Sequence, residues 1–507
     1  MDRRSNFDQK KLEVNVIYSE LRLLFDMPLS SDIIAFCKKF ARDIPDGTVA
    51  VFAGAGLSRD AGFVNWKELL APFASELGLD IEKESDNLVR FAQYSQNFKA
   101  GNRAHLNDAL ITAFPTRTSP SLNHEILARL PIATYWTTNY DKLIETALSN
   151  AKKLADVKHS ESQLPFSKPR RDAVVYKMHG DVDHPQDAIL TRNDYESYSY
   201  RHPGFVNALI GDLTGKTFLF LGFSFTDPNL DITLSHLRLR YQTSQREHYC
   251  VLRKPKRSEF ENDSDFIYSK SRQRHFIDDL KRYNVTSLLI DEYSDVTEIL
   301  ITIEKMYRRR SVFVSGSAES FFPWSEEEVN RFFRDLGSVL FNHNFRIVSG
   351  FGLGVGNSLI SGAIESAFEK GTTRLDHFLD VRPFPRDIAD KEQRDNIWHL
   401  YRTELLSLPG IALFFFGNKV VNGEIVPADG VRKEFDIAAK QGLVLIPISA
   451  TGYMAQSLYE GIVNNEYNIS QQNRKALERI PQNVGNISQL LQPIVDAMHL
   501  ASSDYSS

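Results

Sequence analysis

The sequence contains little cysteine: Cys37 and Cys250 are its two cysteines among 507 residues. A zinc module of the four-cysteine type needs twice that number, and a disulfide framework needs several pairs. The sequence therefore excludes such a zinc module, and we expect both residues to be buried thiols. We predict no zinc and no other metal site.

Long hydrophobic runs and a strong excess of one charge are also absent. No uninterrupted apolar run approaches the roughly 20 residues that span a bilayer. The first residues, MDRRSNFDQKKLE, lack the apolar core of a signal peptide. The net charge of −5 gives no overall attraction to nucleic acid. We therefore expect a cytoplasmic protein that binds neither a membrane nor a nucleic acid.

What the sequence does contain is typical of the α/β class. Apolar positions at helical spacing in residues 1–45 predict a helical lead-in. Short runs rich in β-branched and aromatic residues then alternate with helical stretches, which predicts a mostly parallel sheet with helices on both faces. These predicted strands are residues 48–54, 132–139, 174–180, 217–225, 248–253 and 285–291.

A second series of predicted strands restarts after residue 305. Its runs are residues 311–317, 345–350, 377–384, 411–418 and 443–449. We predict two Rossmann-like α/β domains, residues 1–304 with helical additions and residues 305–507, each of ordinary domain size. The polar residues at the end of the chain predict a frayed tail from about residue 485.

Four predicted strands of the first domain end in small or polar residues. The motifs that follow them are GAGLS, TTNYD, HGDVD and GFSFTDPN. Ligands of doubly wound sheets bind outside the carboxyl ends of the strands. We therefore predict that the four motifs line one crevice.

The first motif has the small side chains of a phosphate-binding turn. Gly54, Ala55 and Gly56 would let backbone N–H groups approach a pyrophosphate where the chain enters a helix. The usual dinucleotide fingerprint would need glycine at the position of Arg59. The alternative is a glycine turn that serves packing alone.

The second and third motifs offer polar side chains for chemistry on a ribose. Asn139 would orient a ribose hydroxyl or a water, and Asp141 would accept a hydrogen bond from a ribose or a loop N–H. His179 would exchange a proton near neutral pH. Alternatively, Asn139 and Asp141 form an Asx turn, and His179 is a structural histidine.

In their order and spacing, the four motifs resemble those of a sirtuin-like NAD-binding domain. The resemblance implies that the glycine turn binds the NAD phosphates and that Asn139 and Asp141 position the nicotinamide ribose. It also implies that His179 is the catalytic base, with NAD as substrate and no further cofactor. The predicted catalytic residues are His179 and Asn139, and the predicted NAD-binding residues are Gly54, Ala55, Gly56, Ser58, Thr138, Asp141, Gly222 and Ser224.

Two departures from the deacylase sirtuins indicate cleavage by water. Those enzymes carry a four-cysteine zinc module, and their first motif continues G-I-P-D-F-R, whereas Gly62 here precedes FVNWK. Nicotinamide leaves as a neutral base, and a dry polar pocket stabilises the oxocarbenium-like ribose. We predict NAD hydrolysis, with the roles of Asn65, Trp66 and Lys67 open. A zinc-independent deacylase, a non-catalytic nucleotide sensor and a nicotinamide oxidoreductase are the alternatives.

The second domain resembles the SLOG nucleotide-sensing fold. Its stretch VSGFGLGVGNSLISGAI places alternating glycines between a strand and a helix, which suits close approach of phosphate or ribose, or a flexible structural turn. The related phosphoribohydrolases carry P-G-G-x-G-T-x-x-E, of which Glu434 remains here without the double glycine and threonine. The resemblance therefore implies binding rather than catalysis.

Polar residues of this domain complete a predicted activator site. Arg402 and Lys419 would bind phosphates and Glu434 would bind ribose hydroxyls. Each is alternatively a surface charge. The predicted activator-binding residues are Gly316, Ser317, Gly352, Leu353, Gly354, Arg402, Lys419 and Glu434.

The order of a sirtuin-like domain followed by a SLOG domain is similar to that of the Thoeris antiphage effectors. The resemblance implies that a cyclic ADP-ribose isomer, made by a TIR-domain partner protein, binds the SLOG domain. NAD is then hydrolysed to nicotinamide and ADP-ribose, which depletes cellular NAD. It also implies a homo-oligomer, with a homotetramer suggested. The isomer, the activating rearrangement and closure of the resting NAD pocket stay open.

Overall fold

The structure is a computed structural model that describes residues 29–63, 66–83, 89–115, 118–385 and 388–502. Within these residues the chain forms two compact units, residues 29–304 and residues 305–502. Most of the predicted helical lead-in lies outside the described residues, and so does Asn65. The part that is described begins with the helix Ser31–Asp43.

The N-terminal unit is built on a seven-stranded parallel sheet. The strands are β1 (Val49–Ala53), β2 (Thr134–Thr137), β3 (Ala155–Lys158), β4 (Ala173–Lys177), β5 (Thr217–Leu221), β6 (His248–Arg253) and β7 (Val285–Ile290). Their order across the sheet is β3-β4-β2-β1-β5-β6-β7. The six strands predicted in this unit are confirmed.

One strand, β3, was not predicted because charged residues interrupt its apolar pattern. Asp156 and Lys158 are both buried there, and their side chains form an ion pair of 2.9 Å. Pairing lets the edge strand bury charges that its sequence alone would place in solvent.

Helices cover the sheet of the N-terminal unit. They are α1 (Ser31–Asp43), α2 (Ala55–Arg59), α3 (Trp66–Glu76), α4 (Val89–Phe98), α5 (Ala104–Ala113), α6 (Leu122–Arg129), α7 (Leu143–Asn150), α8 (Arg192–Glu196), α9 (Tyr198–Arg201), α10 (Pro203–Gly215), α11 (Pro228–Tyr241), α12 (Asp263–Lys281) and α13 (Ser294–Arg308).

The centre of this sheet is also where its strand order reverses. β1 and β5 are buried along their whole lengths, as continuous apolar runs in parallel sheets are. From β1 the chain continues to β2 on one side, whereas β5 pairs with β1 on the other side. The carboxyl ends of β1 and β5 therefore form the switch point at which a ligand crevice is expected.

The C-terminal unit has a five-stranded parallel sheet and a separate hairpin. Its strands are β8 (Ser311–Ser317), β9 (Arg346–Ser349), β10 (Leu379–Val381), β11 (Ile411–Phe416), β12 (Asn418–Val421), β13 (Glu424–Pro427) and β14 (Val444–Pro447). The sheet order is β10-β9-β8-β11-β14, and β12 pairs with β13. The five predicted strands are confirmed. The hairpin was not predicted, since its first strand follows β11 directly.

The helices of this unit include one that corrects the predicted tail. They are α14 (Glu326–Asn342), α15 (Gly356–Glu369), α16 (Lys391–Leu405), α17 (Asp429–Lys440), α18 (Tyr453–Val463), α19 (Gln471–Leu477) and α20 (Leu491–Ser502). The prediction of a frayed tail is wrong for residues 485–502, because α20 buries Ile494 and Met498 in the core. Residues 503–507 lie outside the described part.

Cys37 and Cys250 are free and buried, as predicted. Within the described ranges, no helix combines the length and apolar character needed to cross a bilayer.

Candidate functional site

The glycine turn after β1 packs directly against the turn after β5. The N–H of Gly54 donates to Leu221 O and that of Gly56 donates to Gly222 O, each at 2.9 Å. Gly222 has a φ of +61°, and a Cβ there would lie 2.2 Å from Leu57 N. A Cβ on Gly54 would lie 2.4 Å from Gly222 O. The glycines thus bring two strand-end backbones into contact at the switch point.

A buried polar network lies beside this turn. Asn139 Nδ2 donates to Gly54 O at 3.0 Å and to Ser58 Oγ at 2.9 Å. Ser58 Oγ donates to Asp141 Oδ2 at 2.7 Å. Asp141 Oδ1 accepts from the N–H of Leu143 at 3.0 Å, which fixes the carboxylate at the start of α7. Four predicted site residues are therefore joined through direct hydrogen bonds.

A fully buried lysine supports this network from below. Lys177 Nζ donates to the carbonyl oxygens of Tyr140 at 3.1 Å and Asp141 at 2.6 Å. It also contacts Asp181 Oδ2 at 2.5 Å and Glu145 Oε1 at 3.0 Å. Burial opposes the charge of Lys177, but the two carboxylates hold its pKa above the usual range. The backbone around Asp141 is thereby anchored to the end of β4.

His179 follows β4 and is 4% exposed. Its Nε2 lies 3.0 Å from Asp227 Oδ2, at ion-pair distance. Its Nδ1 lies 3.5 Å from the hydroxyl of Tyr195, at the long limit of a hydrogen bond. Burial raises the pKa of Tyr195 well above its ordinary value, so its hydroxyl stays protonated and able to donate.

Asp227 joins His179 to the helix that follows β5. Its Oδ1 caps α11 by accepting from the N–H groups of Asn229 at 3.0 Å and Leu230 at 2.9 Å. Burial opposes ionisation of this carboxyl, but His179 and the two N–H groups hold its pKa below the usual range. A buried carboxylate therefore faces the imidazole.

The structure thus brings part of the predicted site together and leaves part apart. Ser58, Asn139 and Asp141 form one network, whereas the described contacts of His179 are with Asp227 and Tyr195. Ser224 Oγ lies 2.8 Å from Thr226 Oγ1, on the exposed turn after β5. Of the remaining predicted residues, Gly54, Thr138 and Gly222 lie directly after strands, and Ala55 and Gly56 begin α2.

Sequence reasoning missed four side chains that contact this site, Asp227, Lys177, Asp181 and Tyr195. The signal for Asp227 was present, since Asp before Pro is typical of a helix N-cap. That capping role accounts for one carboxylate oxygen and gives no indication of the partner of the other. In the sheet, β2 and β1 separate β4 from β5, so the contact with His179 arises only because the segments that follow β4 and β5 meet beyond the ends of the strands.

The C-terminal unit repeats the packing of glycine turns. A Cβ on Gly352 would lie 1.8 Å from Gly316 O, so the turns after β8 and β9 touch through their backbones. Gly354 has a φ of +75°, and Leu353 O accepts from the N–H of Ala318 at 3.0 Å. Ser317 Oγ donates to Asn418 O at 3.4 Å. These predicted residues form one compact edge of the sheet.

The predicted pair of opposite charges in this unit is buried. Arg402 Nε lies 3.4 Å from Glu434 Oε1, and Glu434 Oε2 accepts from Ser315 Oγ at 2.6 Å. The guanidinium lies over the rings of Phe384 at 4.8 Å and Trp398 at 5.5 Å. Burial raises the pKa of Glu434. The reading of Arg402 and Glu434 as ordinary surface charges is therefore wrong.

Lys419 differs from this buried pair. Its ammonium is on the exposed β12 and contacts Asp429 Oδ2 at 2.9 Å. Asp429 is the first residue of α17. At the next residue, Gly430, an added Cβ would lie 3.3 Å from Arg402 Nη2, so the start of α17 lies beside the guanidinium. Lys419 is thus connected to the Arg402 region through the start of α17.

A residue that sequence reasoning missed, Asn418, organises the loop after β8. It is buried, and its Oδ1 accepts from the N–H groups of Glu319 at 2.9 Å and Ser320 at 3.0 Å. Its Nδ2 donates to Ser320 O at 2.8 Å. The Asn418 side chain therefore joins the start of the hairpin to the backbone of this loop through three hydrogen bonds.

Comparisons with known proteins agree with this two-unit arrangement. Residues 133–277 match the SIR2-like domain family, and residues 295–500 match the Sir2- and TIR-associating SLOG family. An NAD(+) hydrolase ThsA of Acinetobacter baumannii is 47% identical over 472 residues, which cover 91% of this chain and 98% of the relative. The NAD(+) hydrolase ThsA of Bacillus cereus is 42% identical, with 94% and 100% covered. That of Enterococcus faecium is 40% identical, with 92% and 98% covered. The chain belongs to the ThsA family of NAD(+) hydrolases.

Proposed function

We propose that the N-terminal unit hydrolyses NAD to nicotinamide and ADP-ribose. The observation that carries this proposal is the adjacency of β4, β2, β1 and β5, whose carboxyl ends hold His179, Asn139 and the two glycine turns. Dinucleotides bind at such a switch point in doubly wound sheets. The NAD(+) hydrolases to which the chain is similar support the same substrate.

The chemistry asks the protein to stabilise a cationic ribose. Nicotinamide departs as a neutral base, so the ribose becomes oxocarbenium-like and needs oxygen atoms and a carboxylate nearby. The buried Asn139 and Asp141 supply an amide oxygen and a carboxylate. Ser58 contacts both side chains, and Lys177 holds the backbone carbonyl of Asp141. Because this network is preorganised, little reorganisation is required as charge develops.

His179 would act as the base of the reaction. It would take a proton from the attacking water or from a ribose hydroxyl, while Asn139 directs the line of attack. Gly222 and Ser224 would lie on the adenosine side, and the turn at Gly54 and Gly56 beside the pyrophosphate. The N–H groups of Gly54 and Gly56 donate within the protein, and their missing Cβ atoms leave room for the backbone of Gly222. These two glycines would therefore act on NAD by shaping the turn rather than by donating to its phosphates.

Purified full-length chain incubated with NAD tests the proposal. Chromatography should show nicotinamide and ADP-ribose in equal amounts, with the rate raised by a cyclic ADP-ribose isomer. Folded protein that leaves NAD intact under both conditions would reduce the unit to a nucleotide sensor. Turnover of an acyl-lysine peptide would indicate a deacylase. Appearance of the absorbance of reduced nicotinamide would indicate an oxidoreductase.

We also propose that the C-terminal unit binds the activating cyclic ADP-ribose isomer. A guanidinium carries five N–H donors, so pairing of Arg402 with Glu434 through Nε leaves donors for a phosphate. Glu434 has both oxygens in defined positions for ribose hydroxyls, and Lys419 would add a second cation. The glycine turns of this unit would let the ligand approach the protein backbone closely. Their predicted residues are Gly316, Ser317, Gly352, Leu353 and Gly354.

Arg402→Ala should weaken activation. Loss of a charge-assisted hydrogen bond costs about 1.5–3 kcal/mol, so the activator concentration for half-maximal NAD cleavage should rise about 10- to 100-fold. The measurement is a titration of cyclic ADP-ribose isomers against nicotinamide release. Lys391→Ala, which removes an exposed cation from the start of the same helix, is the matched control and should leave the titration unchanged. An unaltered dose response in the Arg402 variant would contradict this placement of the activator site.

The family also indicates a biological setting for these activities. We propose that the chain is an antiphage effector of the Thoeris type, activated by the product of a TIR-domain protein and depleting NAD in the cytoplasm. The match of residues 295–500 to a Sir2- and TIR-associating family supports the functional partner. A homo-oligomer, with a homotetramer as the suggested form, would couple the two sites by favouring one arrangement when activator is bound. Mass measurement with and without the isomer tests the assembly.

A further inference from the structure

The chain that follows the HGDVD motif returns to pack against it. The N–H of Ile189 donates to the carbonyl oxygen of His179 at 2.9 Å. The carbonyl oxygen of Ile189 accepts from the hydroxyl of Tyr140, in the TTNYD motif, at 2.6 Å. Ile189 is 5% exposed, so water competes little for either bond. One backbone position is therefore bonded to two of the motifs that carry the proposed site.

The same chain continues into α8, which brings Tyr195 to the imidazole. The Tyr195 hydroxyl lies 3.5 Å from His179 Nδ1, and the two rings are nearly perpendicular with their centroids 5.3 Å apart. We call residues 188–195 the support segment. It contacts the backbone of His179 through Ile189 and the ring through Tyr195, so the place of the histidine depends on what holds this segment.

One guanidinium outside the support segment holds it near both ends. Arg103, directly before α5, donates from Nη1 to Asp194 Oδ2 at 2.8 Å and from Nη2 to the carbonyl oxygen of Ala188. The side chains of Arg103 and Asp194 are 19% and 14% exposed, so solvent screens this pair little. Because the guanidinium is planar and rigid, its two donors fix the spacing between the two ends of the segment.

The carboxylate of Asp194 also organises the turn between these ends. Its Oδ2 accepts from the N–H groups of Leu190 at 3.1 Å and Thr191 at 2.9 Å, and from the Thr191 hydroxyl at 2.9 Å. Burial opposes ionisation of Asp194, but Arg103 and these N–H groups hold its pKa below the usual range. The support segment is therefore built around a carboxylate whose charge Arg103 balances.

We propose that Arg103 is a positioning residue for NAD hydrolysis, which sets the place of His179 by holding the support segment at Ala188 and Asp194. This inference rests on the proposed function, in which His179 is the base. A base acts only within hydrogen-bond reach of the proton that it takes. A displacement of about 1 Å caused by a change far from the chemistry costs up to about 10²-fold in rate.

Arg103→Met tests the proposal, because methionine keeps part of the apolar stem and removes both donors. At saturating NAD and activator, kcat should fall about 10- to 100-fold while KM stays near the wild-type value. Arg103→Lys keeps a cation for Asp194 without the planar fork, so its kcat should lie between those of Arg103→Met and the wild type. A kcat close to wild type in folded Arg103→Met would overturn the proposal.

Arg129→Met is the matched control, since it also removes a guanidinium from a partly buried ion pair of the N-terminal unit. Arg129 ends α6 and donates to both oxygens of Glu304, at 2.7 Å and 2.9 Å. It lies before the amino end of β2, whereas the motifs follow carboxyl ends of strands. Both variants should lower the temperature of unfolding, but kcat should fall only in Arg103→Met. Equal losses of kcat would overturn the proposal.

Asp194→Asn weakens the same pair from its other side and serves if Arg103→Met does not accumulate as folded protein. Asparagine keeps an oxygen for the N–H groups of the turn, so α8 should still be capped. Its kcat should fall as well, and the double variant Arg103→Met/Asp194→Asn should be no slower than the slower single variant. Losses that add up in the double variant would show independent roles and overturn the proposal.

Hydrogen exchange of the Ile189 amide, measured by NMR, is a readout that needs no turnover. This amide donates to His179 O, so it should exchange faster in Arg103→Met than in the wild type or in Arg129→Met. Exchange as slow as in the wild type would overturn the proposal. Absence of NAD cleavage in the wild type would instead reject the proposed function, while the exchange would still decide whether Arg103 holds the segment against His179.

Discussion

Replacing His179 with glutamine should reduce kcat for NAD hydrolysis about 10²- to 10⁴-fold, the contribution of a positioned general base. Glutamine fills much of the volume of the imidazole and keeps a polar end near Asp227, so the fold should persist. It has no group that takes a proton near neutral pH, and this is why turnover should fall while NAD still binds. Nicotinamide release at saturating NAD and activator measures the loss.

His248→Gln controls for the removal of a buried histidine. His248 is 3% exposed, close to the 4% of His179, and it accepts from the N–H of Phe218 at 3.2 Å. Burial lowers the pKa of His248 to about 4, so it is neutral and structural. It begins β6, at the edge of the sheet opposite the motifs, and its variant should keep kcat. Activity retained in His179→Gln, or an equal loss in a folded His248→Gln, would contradict the assigned base.

Replacing Lys177 with methionine should destabilise the N-terminal unit by about 3–5 kcal/mol, because removing one partner of a buried ion pair leaves the other charge buried without compensation. Methionine matches the length of the side chain but strands Asp181 and Glu145, which contact the ammonium at 2.5 Å and 3.0 Å. It also releases the carbonyl of Asp141. Thermal unfolding, with hydrogen exchange of peptides from β2 and β4, should locate the loss in this unit.

Lys254→Met is the comparison for a lysine in a solvent-exposed pair. Its ammonium contacts Asp291 at 3.0 Å, and the two side chains are 46% and 66% exposed. Such pairs contribute about 0–1 kcal/mol, so this variant should unfold almost as the wild type does. If Lys177→Met does not accumulate as folded protein, Asp181→Asn removes one of the two carboxylates and should show a smaller loss. Wild-type stability in both Lys177→Met and Asp181→Asn would contradict the role of the buried lysine.

The strands of both sheets could be predicted because their apolar runs are long enough to register as local patterns. β1 and β5, buried throughout, are read from VAVFA and TFLFL alone. β3 could not be read in this way, because the charged Asp156 and Lys158 interrupt its apolar pattern, and only the fold shows that this local pair is buried. The helix α20 was missed for a similar reason, since Ile494 and Met498 are covered by elements distant in the chain.

The motifs that carry chemistry were likewise visible in the chain, because small and polar residues directly after apolar strands are rare enough to be noticed. GAGLS, TTNYD and HGDVD identified Ser58, Asn139, Asp141 and His179. With GFSFTDPN, their number and order were enough for a family resemblance that the relatives bear out. Their partners were not visible. Asp227 is 48 positions beyond His179. It reaches Nε2 because the segments that follow β4 and β5 meet beyond the strand ends, although β2 and β1 separate the two strands in the sheet.

The local order of residues therefore specified the two α/β units, the strand-end motifs and the reaction class, since these depend on short-range patterns of apolar, small and polar side chains. The three-dimensional arrangement was needed for the rest. Folding decides that Gly54, Gly56 and Gly222 pack backbone to backbone, that Lys177 is neutralised by two carboxylates, and that Asp227 Oδ2 lies 3.0 Å from His179 Nε2. Apart from the contact of Lys177 with Asp181, four positions further on, these contacts join segments distant in the chain, whose geometry no local pattern encodes.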